Sequence, residues 1–220
     1  MENEYPMRIN KYLALKKIST RRGADELIKE QKVFINGKKA VLGSKVSEGD
    51  KVEIKGAKMK EYSYFAYNKP VGVETTSPKE GFFPLGRLDK ASHGLLILTD
   101  DGRITDQLLS PKYFHEKEYV VKTKEKLRGS FKDKMEAGVN IEGYKTKPCK
   151  VKIVNDFTFR VILTEGKKHQ IRRMCSALFQ EVADLKRDRI MNIKLGNLKP
   201  KGTRQIIGKE LSTFLDPILK

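Results

Sequence analysis

Gly86-Arg87-Leu88-Asp89 stands just before Ser92-His93-Gly94-Leu95-Leu96-Ile97-Leu98-Thr99-Asp100-Asp101-Gly102. Leu95 to Thr99 is a short, nearly unbroken apolar run of strand length, which predicts a buried strand. Asp101-Gly102 closes it with turn chemistry, and a helix through Leu108-Leu109 follows. Upstream, Tyr64-Phe65-Ala66-Tyr67 and Val71-Gly72-Val73 flank Lys69-Pro70 as further strand candidates. Downstream, Glu118-Tyr119-Val120-Val121 and Thr158 to Leu163 read as strands. Lys168 to Phe179 reads as a basic helix, with Ile171, Met174, Cys175 and Leu178 at helical spacing. Strands outnumber helices and long crossovers are few. The expected fold class is α+β, with a mixed, largely antiparallel sheet flanked by helices.

Residues 1–60 read as a separate small unit. Ile9, Tyr12 and Leu13 recur at helical spacing, and Ser19 or Thr20 can cap a second helix holding Ala24, Leu27 and Ile28. Val33-Phe34-Ile35, Asn36-Gly37 and Lys38 to Val41 form a hairpin signal, because Asn-Gly suits a type I′ turn. Val46, Gly49-Asp50 and Lys51 to Ile54 add a turn and a strand, and Lys55 to Glu61 reads as a linker. The expected domains are therefore 1–60 and 61–220.

The chain carries 46 Lys and Arg against 28 Asp and Glu, a formal net charge of +18. Fifteen basic and eight acidic residues fall within 1–60, a net of +7. A second basic stretch, 167–204, holds eleven basic and three acidic residues. Such an excess favours a polyanion, because clustered cations release counterions from phosphates. No apolar run approaches the roughly 20 residues that span a bilayer, so no membrane partner is expected. The N-terminus lacks a basic n-region and an apolar h-region. Two cysteines, Cys149 and Cys175, fit a reducing cytoplasm and read as buried small hydrophobes. His93, His115 and His169 are scattered, no Cys or His pair has zinc spacing, and no Gly-rich phosphate loop follows a strand. Neither a metal nor a small-molecule cofactor is expected.

Asp89 is the most suggestive single residue. By itself it is also an ordinary turn residue, since Asx turns are common. Arg87, two positions away, would favour its ionised form. Tyr119 alone reads as a core tyrosine, and Arg172 and Arg173 as solvated helix arginines.

Taken together, these stretches resemble a known family. Arg8 to Leu13, Ser19 to Ala24, Val33 to Lys38 and Gly49-Asp50 are similar to the S4 RNA-binding domain. Asn68-Lys69-Pro70-Val71-Gly72, Gly86 to Gly102, His115 to Val121, Leu163 to Met174 and Arg187 to Asn192 resemble, in order, the motifs of the RsuA/RluF group of pseudouridine synthases. Lys147 to Lys152 and Arg189 to Asn192 look most like the RluF branch, which acts on large-subunit ribosomal RNA.

The resemblance implies an isomerase that breaks the N1–C1′ bond of uridine and joins C5 to C1′. Asp89 would be the catalytic carboxylate, attacking the sugar or assisting an elimination. Tyr119 would lie against the base and could remove the C5 proton. Arg172 would pair with Asp89 through its planar fork, while His169 receives no catalytic role. The target base must leave its stack, and Arg87 is the candidate to contact the space or phosphate it leaves. Arg8, Lys11, Arg21, Arg22, Lys38, Lys167, Lys168 and Arg173 are the further RNA-binding candidates. The expected partner is ribosomal RNA and the expected state a monomer. Only thirteen residues, Val73 to Leu85, separate the first motif from Gly86. That connection is shorter than the branch usually carries, which bears on the choice of uridine. Two other functions remain open: a non-catalytic S4-type ribosome-assembly factor, and a synthase acting on small-subunit ribosomal RNA or tRNA.

Overall fold

The computed structural model describes residues 5–56 and 60–219. Part of the expected linker, 57–59, lies outside the described residues, as do Met1 to Glu4 of the N-terminus. The chain forms two compact units, one reaching Tyr62 and including Asp101–Thr105, the other holding nearly all the rest.

In the first unit two helices, Ile9–Leu15 and Arg21–Lys29, accompany a three-stranded sheet ordered Lys38–Lys39, Val33–Ile35, Val52–Ile54. Thr20 caps the second helix, its Oγ1 accepting from the Gly23 amide at 2.9 Å, which satisfies an amide the helix cannot. Asn36 and Gly37 both have positive φ, +49° and +78°, as a type I′ turn requires. Ile9, Leu13, Ala24, Ile28, Val33, Ala40 and Val46 form the core.

The second unit is built on one large sheet. Its strands run Lys150–Asn155, Thr158–Leu163, Lys117–Thr123, Val182–Ile190, His93–Thr99, Tyr64–Lys69, Thr203–Gln205. All neighbours on this path are antiparallel except Val182–Ile190 with His93–Thr99, so the expected mixed, largely antiparallel sheet is present. His93–Thr99 is paired on both sides, and Leu95, Leu96, Ile97 and Leu98 have no exposed surface. That explains a strand whose sequence is apolar on both faces.

One side of the sheet packs the helices Phe131–Glu136 and Gln170–Ala177 through Phe131, Met135, Ile171 and Met174. Phe131 and Phe159 meet edge-on at 4.8 Å. One expectation is corrected: Val71 to Val73 is a turn rather than a strand, with Gly72 at φ +84°. The expected helix through Leu108-Leu109 is present as Thr105–Leu109, entered through a single 3-10 turn, Gly102–Ile104, with Asp101 accepting from the Arg103 amide.

Candidate active site

Asp89 sits in an irregular loop between the strands Phe83–Leu85 and His93–Thr99. This loop is tied down along its length. Thr75 Oγ1 donates to the Leu88 carbonyl and accepts from the Leu88 amide, at 2.7 and 3.0 Å. The Gly72 amide donates to the Lys90 carbonyl, and the Ser92 amide to the Asp89 carbonyl. Lys69, with no exposed surface, donates from Nζ to the Ser92 and Pro70 carbonyls at 2.7 and 3.0 Å. A carboxylate on a loop clamped this way loses little entropy when it acts on a substrate.

The loop opens on a cleft of about 750 Å³, within the size range of small-ligand sites. Asp89, Tyr119, Arg87, Lys167 and Lys168 all line it, so the structure brings these five expected residues together. Tyr119 is half-buried and packs against both the Leu88–Leu96–Leu98 cluster and the large core under the sheet. Arg87, Lys167 and Lys168 are exposed, which places the solvated cations at the rim.

Arg172 requires a correction. Its guanidinium does not pair with Asp89. Nη2 donates to the Ala91 carbonyl at 3.0 Å and to Ser92 Oγ at 3.3 Å, and Nη1 to the Val182 carbonyl at 3.3 Å. From the first turn of the helix Gln170–Ala177, the side chain meets the far end of the Asp89 loop and the strand Val182–Ile190. Its hydrogen bonds tie the loop to that strand through two carbonyls and the Ser92 hydroxyl rather than through the carboxylate. Arg173 is likewise committed within the domain. It pairs with the exposed Glu142 at 2.6 Å and donates to the carbonyls of Lys168 and Ile141.

The neighbour Asp89 does have is His169, whose Nδ1 lies 2.9 Å from Oδ2. His169 is the N-cap of Gln170–Ala177 with a left-handed backbone, φ +52°. That conformation is costly for a residue with a Cβ and tends to persist at functional positions. Lys69 is the buried cation that feels Asp89. Burial lowers its pKa, and the carboxylate's charge opposes that shift.

Glu165, buried in the same wall, accepts from Gln170 Nε2 and the Lys147 amide, at 2.8 and 3.0 Å, and from Tyr144 Oη. Its hydrogen bond, then burial and its charge, push the Tyr144 hydroxyl pKa upward. Sequence reasoning gave His169 no catalytic role and assigned none to Glu165, Lys117 or Arg187. For Lys117 a signal existed: it is two residues from Tyr119, and so on the same face of the strand.

In the first unit Arg8, Arg21, Arg22 and Lys38 are exposed and Lys11 is half-buried. All five belong to the same compact unit.

The Arg172 geometry gives a first expected result. Arg172→Leu should cost about 2 kcal/mol, because three hydrogen bonds from a charged donor are lost. That should lower the melting temperature by roughly 4–8 °C and slow turnover about tenfold or more as the Asp89 loop loosens. Arg172→Lys should recover only part of this, since an ammonium cannot span three acceptors. Melting curves and single-turnover rates measure both effects. Unchanged stability would show that the loop does not depend on this side chain.

Comparison with known proteins agrees with the geometry. Residues 63–177 match the RNA pseudouridylate synthase family and residues 7–52 the S4 domain. The dual-specificity RNA pseudouridine synthase RluF of Salmonella typhi is 39% identical, with 93% of this chain and 77% of that protein covered. Ribosomal large subunit pseudouridine synthase B of Bacillus subtilis is 34% identical, with 93% of each covered. A crystal structure of a pseudouridylate synthase superposes with a TM-score of 0.70 at 28% identity, covering 94% of this chain and 99% of that one.

Proposed function

The chain belongs to the RNA pseudouridylate synthase family and carries an S4 domain, and on that premise we propose that it isomerises one specific uridine of large-subunit ribosomal RNA. The observation that carries this reading is the cleft that gathers Asp89 and Tyr119 under a rim of Arg87, Lys167 and Lys168. The relatives named for RNA and for the large ribosomal subunit support the choice of substrate.

A flipped uridine places its phosphates on the rim and its base toward the buried wall. Asp89 meets C1′ as the N1–C1′ bond breaks, by covalent attack or through an elimination. His169 holds the carboxylate oriented. Tyr119 lies beside the base, where it can take the C5 proton after C5 has joined C1′. Atoms balance without an added group, so the proposal includes no metal, redox or group-carrying cofactor. We further propose a cytoplasmic monomer. Among the described residues, no helix is long and apolar enough to cross a membrane.

The test is a map of pseudouridines in ribosomal RNA and tRNA from cells with and without the gene, repeated after adding purified protein to RNA lacking the modification. One large-subunit position should vanish and be restored. A position in small-subunit RNA or tRNA would redirect the substrate, and no change anywhere would defeat the proposal.

The division of labour is equally testable. We propose that residues 1–60 capture RNA and 61–220 perform the chemistry. Removing 1–60 should weaken binding of structured ribosomal RNA at least tenfold and flatten the slope of log affinity against log salt. The single-turnover rate at saturating RNA should fall far less. Equal slopes and equal affinity for both forms would reject the capture role.

A further inference from the structure

Among the described residues, two cations at the floor of the cleft, Lys117 and Arg187, have no carboxylate partner and leave donor capacity unused. We propose that Lys117 and Arg187 bind the uracil carbonyl oxygens and hold the base as an anion while its bond to the sugar is broken. This rests on the pseudouridine synthase reading above.

Strand alternation puts Lys117 and Tyr119 on one face of Lys117–Thr123. Arg187 is directly across from Tyr119 in the antiparallel ladder with Val182–Ile190, so its side chain shares that face. Lys117, Tyr119 and Arg187 accordingly all line the cleft that holds Asp89. The intervening residues point the other way. There Glu116 and Glu118 are taken by Arg189 and Arg160, so neither is left to neutralise Lys117.

Lys117 is 9% exposed and Arg187 is 3% exposed. The hydrogen bond seen for Lys117 Nζ, to the His115 carbonyl, is 3.5 Å long. Arg187 Nε donates to the Leu95 carbonyl at 2.7 Å, which fixes the guanidinium, but its buried Nη2 has no partner. Taking a cation out of water costs several kcal/mol unless charge and hydrogen bonds return it. Two such cations side by side, with donors unused, form a site prepared for electron-rich oxygens.

Depth distinguishes base from phosphate. Leu163, Ile171 and Leu185, all buried, surround the floor, whereas Arg87, Lys167 and Lys168 are exposed at the rim. A phosphate keeps much of its hydration and suits the rim. A planar base with two carbonyls suits the floor.

The chemistry needs such a site. In the covalent route an Asp89 oxygen bonds to C1′ as the N1–C1′ electron pair withdraws onto the base. The uracil anion spreads its charge over N1, O2 and O4. After the base turns, C5 bonds to C1′ and the Asp89–C1′ bond breaks, which returns the carboxylate. Loss of the C5 proton and gain of one at N1 complete the isomerisation. The elimination route withdraws the same pair onto the same base. Either way the floor cations meet a charge that is greatest after cleavage, and such contacts accelerate the step.

Burial, and the neighbouring Arg187, lower the Lys117 pKa to about 8. Lys117 therefore carries its proton at neutral pH and loses it in mild alkali. His115, Arg187, Asp89, Tyr119 and Glu165 are the other titratable or charged groups facing or lining this part of the cleft.

The experiment uses the full chain and ribosomal RNA transcripts tritiated at uridine C5. Lys117→Met should lower the saturating single-turnover rate about 100-fold, the scale for removing one preorganised donor. RNA affinity should stay within about threefold, because the rim is untouched. Its melting temperature should hold or rise, since an unpaired buried charge is gone. The sub-saturating rate of wild type should fall above about pH 8, and that limb should be missing in Lys117→Met. Lys117→Gln, which keeps a donor without the charge, should be intermediate.

A wild-type saturating rate in both variants overturns the inference. So does weaker binding with a shallower salt slope and an intact saturating rate, which would make Lys117 a phosphate contact. If wild type itself releases no tritium from any ribosomal RNA, the substrate reading fails instead.

Discussion

Asp89→Asn should reduce pseudouridine formation by at least 10⁴-fold, the order seen when a nucleophile is removed from a prepared site, while leaving RNA affinity within a few-fold. The substitution keeps the shape of the side chain and removes its charge. Apart from the His169 contact, the ties on the loop do not use the carboxylate: Thr75, Gly72, Lys69 and Arg172 hold it through the backbone of Leu88, Lys90, Ser92 and Ala91. The fold should therefore survive, and the loss should appear in the saturating rate. Tritium release from C5-labelled ribosomal RNA, beside a filter-binding isotherm, separates the two quantities. His169→Ala is the informative companion. It removes the neighbour 2.9 Å from Oδ2 and should cost about 10–100-fold if it orients the carboxylate. Turnover by Asp89→Asn at the wild-type rate would remove Asp89 from the mechanism.

The parts of this protein that were legible in its sequence are those set by neighbours along the chain. Thr20 caps a helix three residues from the amide it serves. Asn36-Gly37 makes its turn locally, and Thr158–Leu163 is a strand with the bounds its pattern predicts. The motif around Asp89 was legible too, though through its resemblance to a family, since an isolated Asp says little. What the pattern cannot give is the reach of long side chains. Arg172 bonds residues about 80 positions away, so its preference for carbonyls over Asp89 becomes visible only in three dimensions. Lys117 and Arg187 are two charged residues on strands, and a charge on a strand ordinarily marks a solvated face. Only the register, which sets Arg187 across from Tyr119, shows that these two point into a cleft. The helix Gly208–Leu219 is hidden for another reason. It begins at a glycine with φ +56° and contains Pro217, both of which read as breakers.

Gly94→Ala should be the most damaging single-methyl substitution in the sheet. Gly94 lies at the one parallel contact of the main strand path, level with Arg187. Its φ is +103°, and a Cβ there would meet the Arg187 carbonyl oxygen at 2.3 Å and amide nitrogen at 2.8 Å. Backbone atoms hydrogen-bonded into a sheet cannot give by the ångström required, so the strands His93–Thr99 and Val182–Ile190 must part. Strain at the unusual φ adds to the clash. The expected cost is about 3–5 kcal/mol, at the upper end for a point change, or a fall in melting temperature of roughly 6–20 °C. Gly72→Ala is the control. Its φ is also positive, +84°, but a Cβ would meet nothing within 4 Å, so only the backbone strain of about 1 kcal/mol applies. The difference between the two isolates close packing from conformational preference. It also bears on function, because parting these strands displaces Arg187 from the Leu95 carbonyl and from the floor of the cleft. Gly94→Ala protein that remains folded at low temperature should therefore be slow at saturating RNA. Thermal melts and single-turnover assays of both variants measure this. Equal melting temperatures for Gly94→Ala and Gly72→Ala would mean that the close approach of these strands is not what the glycine provides.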